Sequence, residues 1–294
     1  VTSTATPHEW TAPDGERFPY SQWFSDPGEP RAILVAVHGL SGAAIDFEPL
    51  GRHMAAHGFT TCALELRGQG NDPKPERRGD LLRLEQWFDD LRAFIALIRQ
   101  QYPGRPVFHY GESMGAALLT RFTAATPTAG QPDGLILASP VVVIPGNPSW
   151  WQQLIFHFFL FITPARRVDL SKYSKREDEE DPAKWVTRDA DHRRWFQGAG
   201  HRLTSFTFRF FKCLYDLFGG CEAVAPQIQA PVLVIYATHD VFIPPARVEA
   251  FYERIGSGDK TRQLFPDSYH LLLHDFDKAQ VLACIETWLL RHLA

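Results

Sequence analysis

The chain has 294 residues, 45% hydrophobic and 22% charged, the make-up of an ordinary globular protein long enough for one large core. A formal charge of -4 leaves no basic excess to attract a phosphate backbone, and no Lys/Arg-rich run is interleaved with aromatics, so no nucleic-acid partner is expected. Cys62, Cys213, Cys221 and Cys284 have neither C-x-x-C spacing nor the density of a disulfide scaffold, which argues against a structural zinc site and a stapled small fold. Cys213 and Cys221 could still pair across a short loop. No signal-peptide pattern and no apolar run of about 18 residues occurs, so a cytoplasmic protein is expected, although a chain beginning at Val1 leaves room for a removed leader.

In chain order, residues 8–24 carry Asp14-Gly15 between aromatic-rich flanks and predict a hairpin. Short apolar runs at 31–37, 59–66, 106–110, 134–138 and 231–237 predict strands, with a weaker one at 262–265. Between them, helical periodicity covers 47–57, 82–101, 114–125, 245–255 and 275–290. Repeated strand–helix units of this kind predict an α/β fold, a mostly parallel central sheet flanked by helices. The alternation breaks between residues 141 and 229. This stretch opens on the aromatic run at 150–161, passes through a charged run at 175–181 that reads as a solvated turn, and closes on an aromatic helix near 205–218. The expected organisation is a core of 1–140 and 230–294 with a helical cap at 141–229.

Ser113 lies in Gly111-Glu-Ser-Met-Gly115, between a predicted strand and a predicted helix. G-x-S-x-G alone is a weak signal. In that context the glycines permit a tight, strained turn that presents a serine nucleophile. His38-Gly39-Leu40-Ser41-Gly42 follows the first core strand, and its small residues let main-chain N–H groups approach a carbonyl oxygen. The amides of Leu40 and Met114 are the expected oxyanion hole, and His38 is expected to brace the loop. Asp240 follows the strand at 231–237, at the sheet edge where open α/β sheets gather ligand groups; it could orient an imidazole or merely cap the next turn. His270 and His274 compete for the role of base, and His270, in the loop, is preferred. His53 and His57 stand at helical i, i+4 spacing. Without H-E-x-x-H or a third ligand they read as a surface or packing pair, so no metal is expected.

The order Ser113, Asp240, His270 is that of the α/β-hydrolase arrangement. The stretches HGLSGA, GESMG, THDVFIPP and SYHLLL resemble the monoacylglycerol lipase and lysophospholipase-like branch of that fold, the serine aminopeptidase S33-type hydrolases. The similarity covers the core more closely than the insertion. It implies Ser113 as nucleophile, Asp240 as acid, His270 as base and the Leu40 and Met114 amides as oxyanion donors. The pattern departs where relatives commonly carry D-x-R-G-H-G-x-S against Glu65-Leu-Arg-Gly-Gln-Gly-Asn-Asp72, and G-H-S-M-G against Glu112. Glu112 could tune the elbow or be a plain structural or surface carboxylate.

The expected function is a serine carboxylic-ester hydrolase needing no cofactor, acting on small acyl esters or lipids such as monoacylglycerols or lysophospholipids. Trp150, Trp151 and Phe156 are candidate substrate-binding residues, and the aromatic cap could touch a membrane transiently. The same triad could instead cleave an amide, a thioester or a carbon–carbon bond, or transfer an acyl group. A non-catalytic ligand-binding protein on the same fold is the reading from a different class.

Overall fold

Ala32-Ile-Leu-Val-Ala-Val37 is apolar at every position and forms a strand whose six side chains are all buried. Alternation sends Ile33, Val35 and Val37 into one apolar cluster and Ala32, Leu34 and Ala36 into another, so the strand has a core on each face. The computed structural model describes residues 5–25, 28–143, 149–170 and 185–293. The charged run at 175–181 lies outside them.

The elements, in chain order, are β1 (Thr6–Thr11), β2 (Arg17–Trp23), β3 (Ala32–Val37), α1 (Glu48–Ala56), β4 (Phe59–Leu64), α2 (Glu85–Gln101), β5 (Val107–Glu112), α3 (Met114–Ala125), β6 (Gly134–Ala138), α4 (Trp150–Ile162), β7 (Arg167–Asp169), α5 (Ala190–Gly198), β8 (Ser205–Thr207), α6 (Phe208–Gly219), α7 (Cys221–Val224), β9 (Val232–Ala237), α8 (Pro245–Arg254), β10 (Lys260–Phe265) and α9 (Lys278–Arg291). Eight strands form one sheet in the order β1-β2-β4-β3-β5-β6-β9-β10. It is parallel from β4 to β10, and the hairpin β1/β2 joins it antiparallel at β4. One face is covered by α2 and α3, through residues such as Phe94, Ile98 and Leu118, and the other by α1 and α9, through Leu50, Met54, Ile285 and Trp288.

The predicted α/β architecture matches in every core element, with shifts at the ends. Strand β5 runs on to Glu112 because Glu112 pairs with Ala138, and α9 starts at Lys278 after a single 3-10 turn at Leu272–His274. The described residues between β6 and β9 add no strand to the main sheet, but they include the antiparallel pair β7/β8, three residues each, too short for a periodicity signal. Its last third is not separate from the core: Phe210 and Leu217 of α6 and Cys221 of α7 belong to the cluster that holds α2 and α3. Cys213 and Cys221 are free thiols that turn to the carbonyls of Leu81 and Leu217, and burial pushes both up to about 12.

Candidate active site

Ser113 sits between the end of β5 and the first residue of α3, at φ 55 and ψ -115. This conformation is disfavoured for a residue with a side chain, by about 1–3 kcal/mol. The turn is held by the Ser113 N–H donating to the Ala138 carbonyl at 2.9 Å. Each glycine of the motif has its own reason. A Cβ on Gly115 would stand 2.1 Å from the Val37 carbonyl oxygen, and one on Gly111 would stand 2.7 Å from the Gly115 carbonyl oxygen. The strand-to-helix turn is so tight that a methyl group at either position would drive the chains apart.

Two loops bring partners to the serine. His270 Nε2 lies 2.9 Å from Ser113 Oγ, and His270 Nδ1 lies 2.7 Å from Asp240 Oδ2. Asp240 is itself oriented: its Oδ1 accepts the N–H groups of Phe242 and Ile243 at 2.8 and 3.1 Å. It therefore makes both the turn cap and the histidine contact that its position suggested. The carboxylate accepts from Nδ1–H, which leaves the Nε2 lone pair for the serine proton. Burial lowers the affinity of His270 for a proton. The charge and hydrogen bond of Asp240, with Glu112 adding to them, outweigh burial and raise it above the ordinary histidine value. His274, four residues on, goes elsewhere: its Nε2 meets the Asp46 carbonyl at 2.8 Å, and burial with the neighbouring His192 ring pushes it down to about 4.

The loop after β3 faces the serine. A Cβ on Gly39 would stand 3.1 Å from Ser113 Cβ, so a side chain there would crowd Ser113 unless the turn gave way by a few tenths of an ångström. Among the described residues the Leu40 N–H has no acceptor, and the Met114 N–H is one of the first-turn donors that a helix leaves unpaired. Both residues line the cavity beside Ser113. His38 braces the loop as expected, with Nδ1 at 2.9 Å from the Gly39 carbonyl and Nε2 accepting the Leu66 N–H at 3.1 Å.

Three supports were not read from the sequence. Gln69 accepts the Ser41 N–H at 2.8 Å and so holds the loop that presents Leu40. Glu65 accepts from the Ala44 N–H and from Asn71, tying the same loop to the departing turn. Ser139, at φ 43, donates its hydroxyl to the His270 carbonyl at 2.7 Å. Nothing local to Gln69, Glu65 or Ser139 names these partners.

Above Ser113 lies a cavity of about 870 Å³, lined by the sheet's carboxyl edge and by residues of the 141–229 segment, Phe156, Phe196, Phe208 and Phe218 among them. Of the three aromatics proposed from the sequence, Phe156 is on its wall. Trp150 and Trp151 are not. They are 73% and 51% exposed, because the first turn of α4 points away from the cavity while Phe156, further along the helix, points in. One end of the cavity is polar, with Asp46, His192 and His274; Asp46 Oδ1 is 3.3 Å from the buried His201 Nε2, and the His192 and His274 rings stack at 4.0 Å. Glu112 is 7% exposed, which removes the surface reading. Its carboxyl lines the cavity with no hydrogen-bond partner among the described residues, and burial pushes it up to about 7, with Asp46 adding and His270 opposing. Among the described residues, the one cluster of His, Cys, Asp or Glu side chains spaced for a metal ion lies outside this cavity.

The sequence profile of the family described as serine aminopeptidase S33 matches residues 28–277, and the chain belongs to that hydrolase family. It is 24% identical to the monoacylglycerol lipase of Mycolicibacterium smegmatis over 294 residues, 100% of both chains. Among solved structures, a soluble variant of monoglyceride lipase from Saccharomyces cerevisiae in complex with a substrate analogue superposes with a TM-score of 0.84 at 20% identity, covering 99% of this chain and 97% of that one. A highly thermostable carboxyl esterase from Bacillus coagulans, in complex with glycerol, gives 0.83 at 16% identity over 99% of each chain. The family resemblance drawn from HGLSGA, GESMG, THDVFIPP and SYHLLL is thereby borne out.

Proposed function

We propose that Ser113, Asp240 and His270 are nucleophile, acid and base of a serine hydrolase that cleaves carboxylic acyl esters, with monoacyl lipids such as monoacylglycerols or lysophospholipids as its substrate class. The observation that carries this reading is the continuous chain Ser113 Oγ, His270 Nε2, His270 Nδ1, Asp240 Oδ2 at 2.9 and 2.7 Å on the floor of a mostly apolar cavity.

In the first half-reaction His270 Nε2 takes the proton from Ser113 Oγ as that oxygen bonds to the ester carbonyl carbon. The carbonyl oxygen becomes an oxyanion facing the amides of Leu40 and Met114, each worth about 3 kcal/mol in the transition state. The C–O bond to the alcohol breaks, the alcohol leaves with the proton from His270, and the acyl group stays on Ser113. In the second half a water gives its proton to His270 as it attacks the acyl carbon, and Ser113 recovers that proton when the acid departs. Asp240 stabilises the imidazolium in both halves.

The segment at 141–229 acts as a cap. Its aromatic wall suits an acyl chain, at about 0.8 kcal/mol for each methylene buried, and the polar end at Asp46 and His192 suits the hydroxyls of the leaving alcohol. No described helix is long and apolar enough to cross a membrane. Helix α4 nevertheless exposes Trp150, Leu154, Phe158 and Phe161 along its outer side, a surface suited to resting on a lipid interface during substrate uptake. Co-sedimentation with phosphatidylcholine vesicles should show binding, and its absence removes this last element alone.

The decisive experiment is a screen of p-nitrophenyl esters and monoacyl lipids against wild type and Ser113→Ala. Wild type should turn over esters and take up a fluorophosphonate label; the variant should do neither while melting as wild type does. Retained turnover in Ser113→Ala overturns the assignment of the nucleophile. Stoichiometric ligand binding without turnover in both proteins replaces the enzyme by a receptor.

A further inference from the structure

Outside the cavity, helices α1 and α9 bring three ligating side chains together. His53 on α1 and His57, the residue that caps its C-terminus, stand one turn apart, with ring centroids 4.4 Å apart and planes tilted by 32°. Glu286 reaches them from α9, its Oε2 2.8 Å from His53 Nε2 and 3.6 Å from His57 Nε2. All three ligand atoms lie within 4.8 Å of one another. Around a tetrahedral ion with bonds of about 2.0–2.1 Å, ligand atoms stand about 3.3 Å apart, so small torsional adjustments complete the arrangement.

Two further features set this cluster apart from an ordinary ion pair. His57 Nδ1 lies 2.8 Å from the His53 carbonyl, which can only accept, so Nδ1 carries the proton. In the neutral ring the Nε2 lone pair then faces a carboxylate oxygen, two acceptors with nothing between them. A backbone carbonyl fixing one ring nitrogen so that the other is free is the usual support of a metal-bound histidine. The second feature is rigidity. Leu50 and Met54 of α1 and Leu282 and Ile285 of α9 lie in the same apolar cluster, so the two helices hold their ligands in register before any ion arrives. The ligand side chains remain 24%, 42% and 20% exposed, which leaves an entry path from solvent.

We propose that His53, His57 and Glu286 form a binding site for a divalent transition-metal ion, with Zn²⁺ as its best-fitting member, that cross-links α1 to α9. Two imidazoles and one carboxylate favour Zn²⁺ or Cu²⁺ over Mg²⁺ and Ca²⁺, which prefer all-oxygen shells. To bind the ion, the neutral His53 ring moves its proton from Nε2, where it faces Glu286, to Nδ1, which frees the Nε2 lone pair for the metal. Water completes the coordination. None of the three residues lines the active-site cavity, so the site works on the fold and not on the ester chemistry.

The test is calorimetric titration of chelator-stripped full-length protein with Zn²⁺, with Mg²⁺ as control, alongside thermal melts and the visible d–d spectrum of added Co²⁺. One equivalent of Zn²⁺ should bind, the melting temperature should rise with Zn²⁺ and not with Mg²⁺, and Co²⁺ should report imidazole ligation. His57→Gln, which leaves the His53–Glu286 pair intact, and Glu286→Gln should each weaken binding by about tenfold or more while melting as wild type without metal. Ester turnover of the metal-free His57→Gln protein should equal that of wild type. Absence of saturable Zn²⁺ binding overturns the proposal, and so does binding of unchanged affinity in both variants, which places the ion elsewhere.

Discussion

The floor of the cavity and the wall above it are held by different forces. On the floor, Ser113, Asp240 and His270 each stand a few residues beyond a parallel strand, and ladder hydrogen bonds fix the strand ends, Glu112 opposite Ala138 and Ala237 opposite Phe265. On the wall, rings rest on rings: Phe208 stacks on Phe159 at 5.4 Å and meets Phe156 at 5.9 Å, in a segment whose outer helix exposes its aromatics. A ladder cannot slip by less than a residue, whereas apolar side chains repack by small rotations. The floor is thus suited to setting the rate and the wall to selecting the length of the substrate. The two meet at the loop after β3, where Ser41 Oγ donates to the Leu203 carbonyl at 2.8 Å.

If that division holds, substitutions on the floor lower turnover equally for every ester, and after Ser113 the largest effect is expected at Asp240. Asp240→Asn should lower kcat about ten-thousand-fold across a chain-length series, since the tautomer of His270 is no longer held. Because the Asp240 charge raises His270, the acid limb of the residual kcat/KM profile should also move to lower pH. A loss of less than about tenfold, or one confined to long esters, breaks the distinction.

Glu112 tests the floor through stability. Its carboxyl keeps a proton in the folded protein up to about 7 but loses it near 4.5 when unfolded, so between these values the folded state binds more protons and stability falls as pH rises. Glu112→Gln should therefore gain up to about 3 kcal/mol at pH 8 relative to pH 4. Urea unfolding at the two pH values checks this, and equal effects at both would mean that the carboxyl is hydrated.

On the wall, Phe208→Ala should raise KM for long acyl esters by about fifteenfold, the equivalent of two methylenes at about 0.8 kcal/mol each, and leave acetate esters unchanged. A uniform fall in kcat would show instead that the wall shapes the floor. The smallest effect is expected at Gln69. Gln69→Leu removes the acceptor of the Ser41 N–H and should reduce kcat about fivefold at constant KM, about 1 kcal/mol for one lost hydrogen bond.

Much of the floor could be read from the chain because its logic is local. A strand, a sharp turn and a helix start are contiguous in sequence, and Gly111, Ser113 and Gly115 are spaced for a turn that only small residues survive. The cap was harder. Its aromatics announce apolar surface, but whether Trp150 or Phe156 faces the ligand depends on how α4 is rotated against Phe208, 52 residues later than Phe156. Cys213 and Cys221 illustrate the same limit, since each thiol is claimed by a carbonyl on a neighbouring element.

The sequence by itself determined the α/β alternation, the G-x-S-x-G turn, and the order in which an aspartate and a histidine follow it, because each is written within a few residues and obeys local steric or periodic rules. Only the tertiary structure showed that His270 and not His274 stands beside Ser113, since the two lie four residues apart and differ in which distant carboxylate or carbonyl they meet. The same holds for Gln69 beneath the loop after β3 and for Glu286, which lies 233 residues from His53 and joins a helical histidine pair in one cluster. Contacts of that separation leave no mark on local periodicity. They exist because burying two apolar faces packed α1 against the sheet beside α9, and the polar groups at the margins of that packing met as a result.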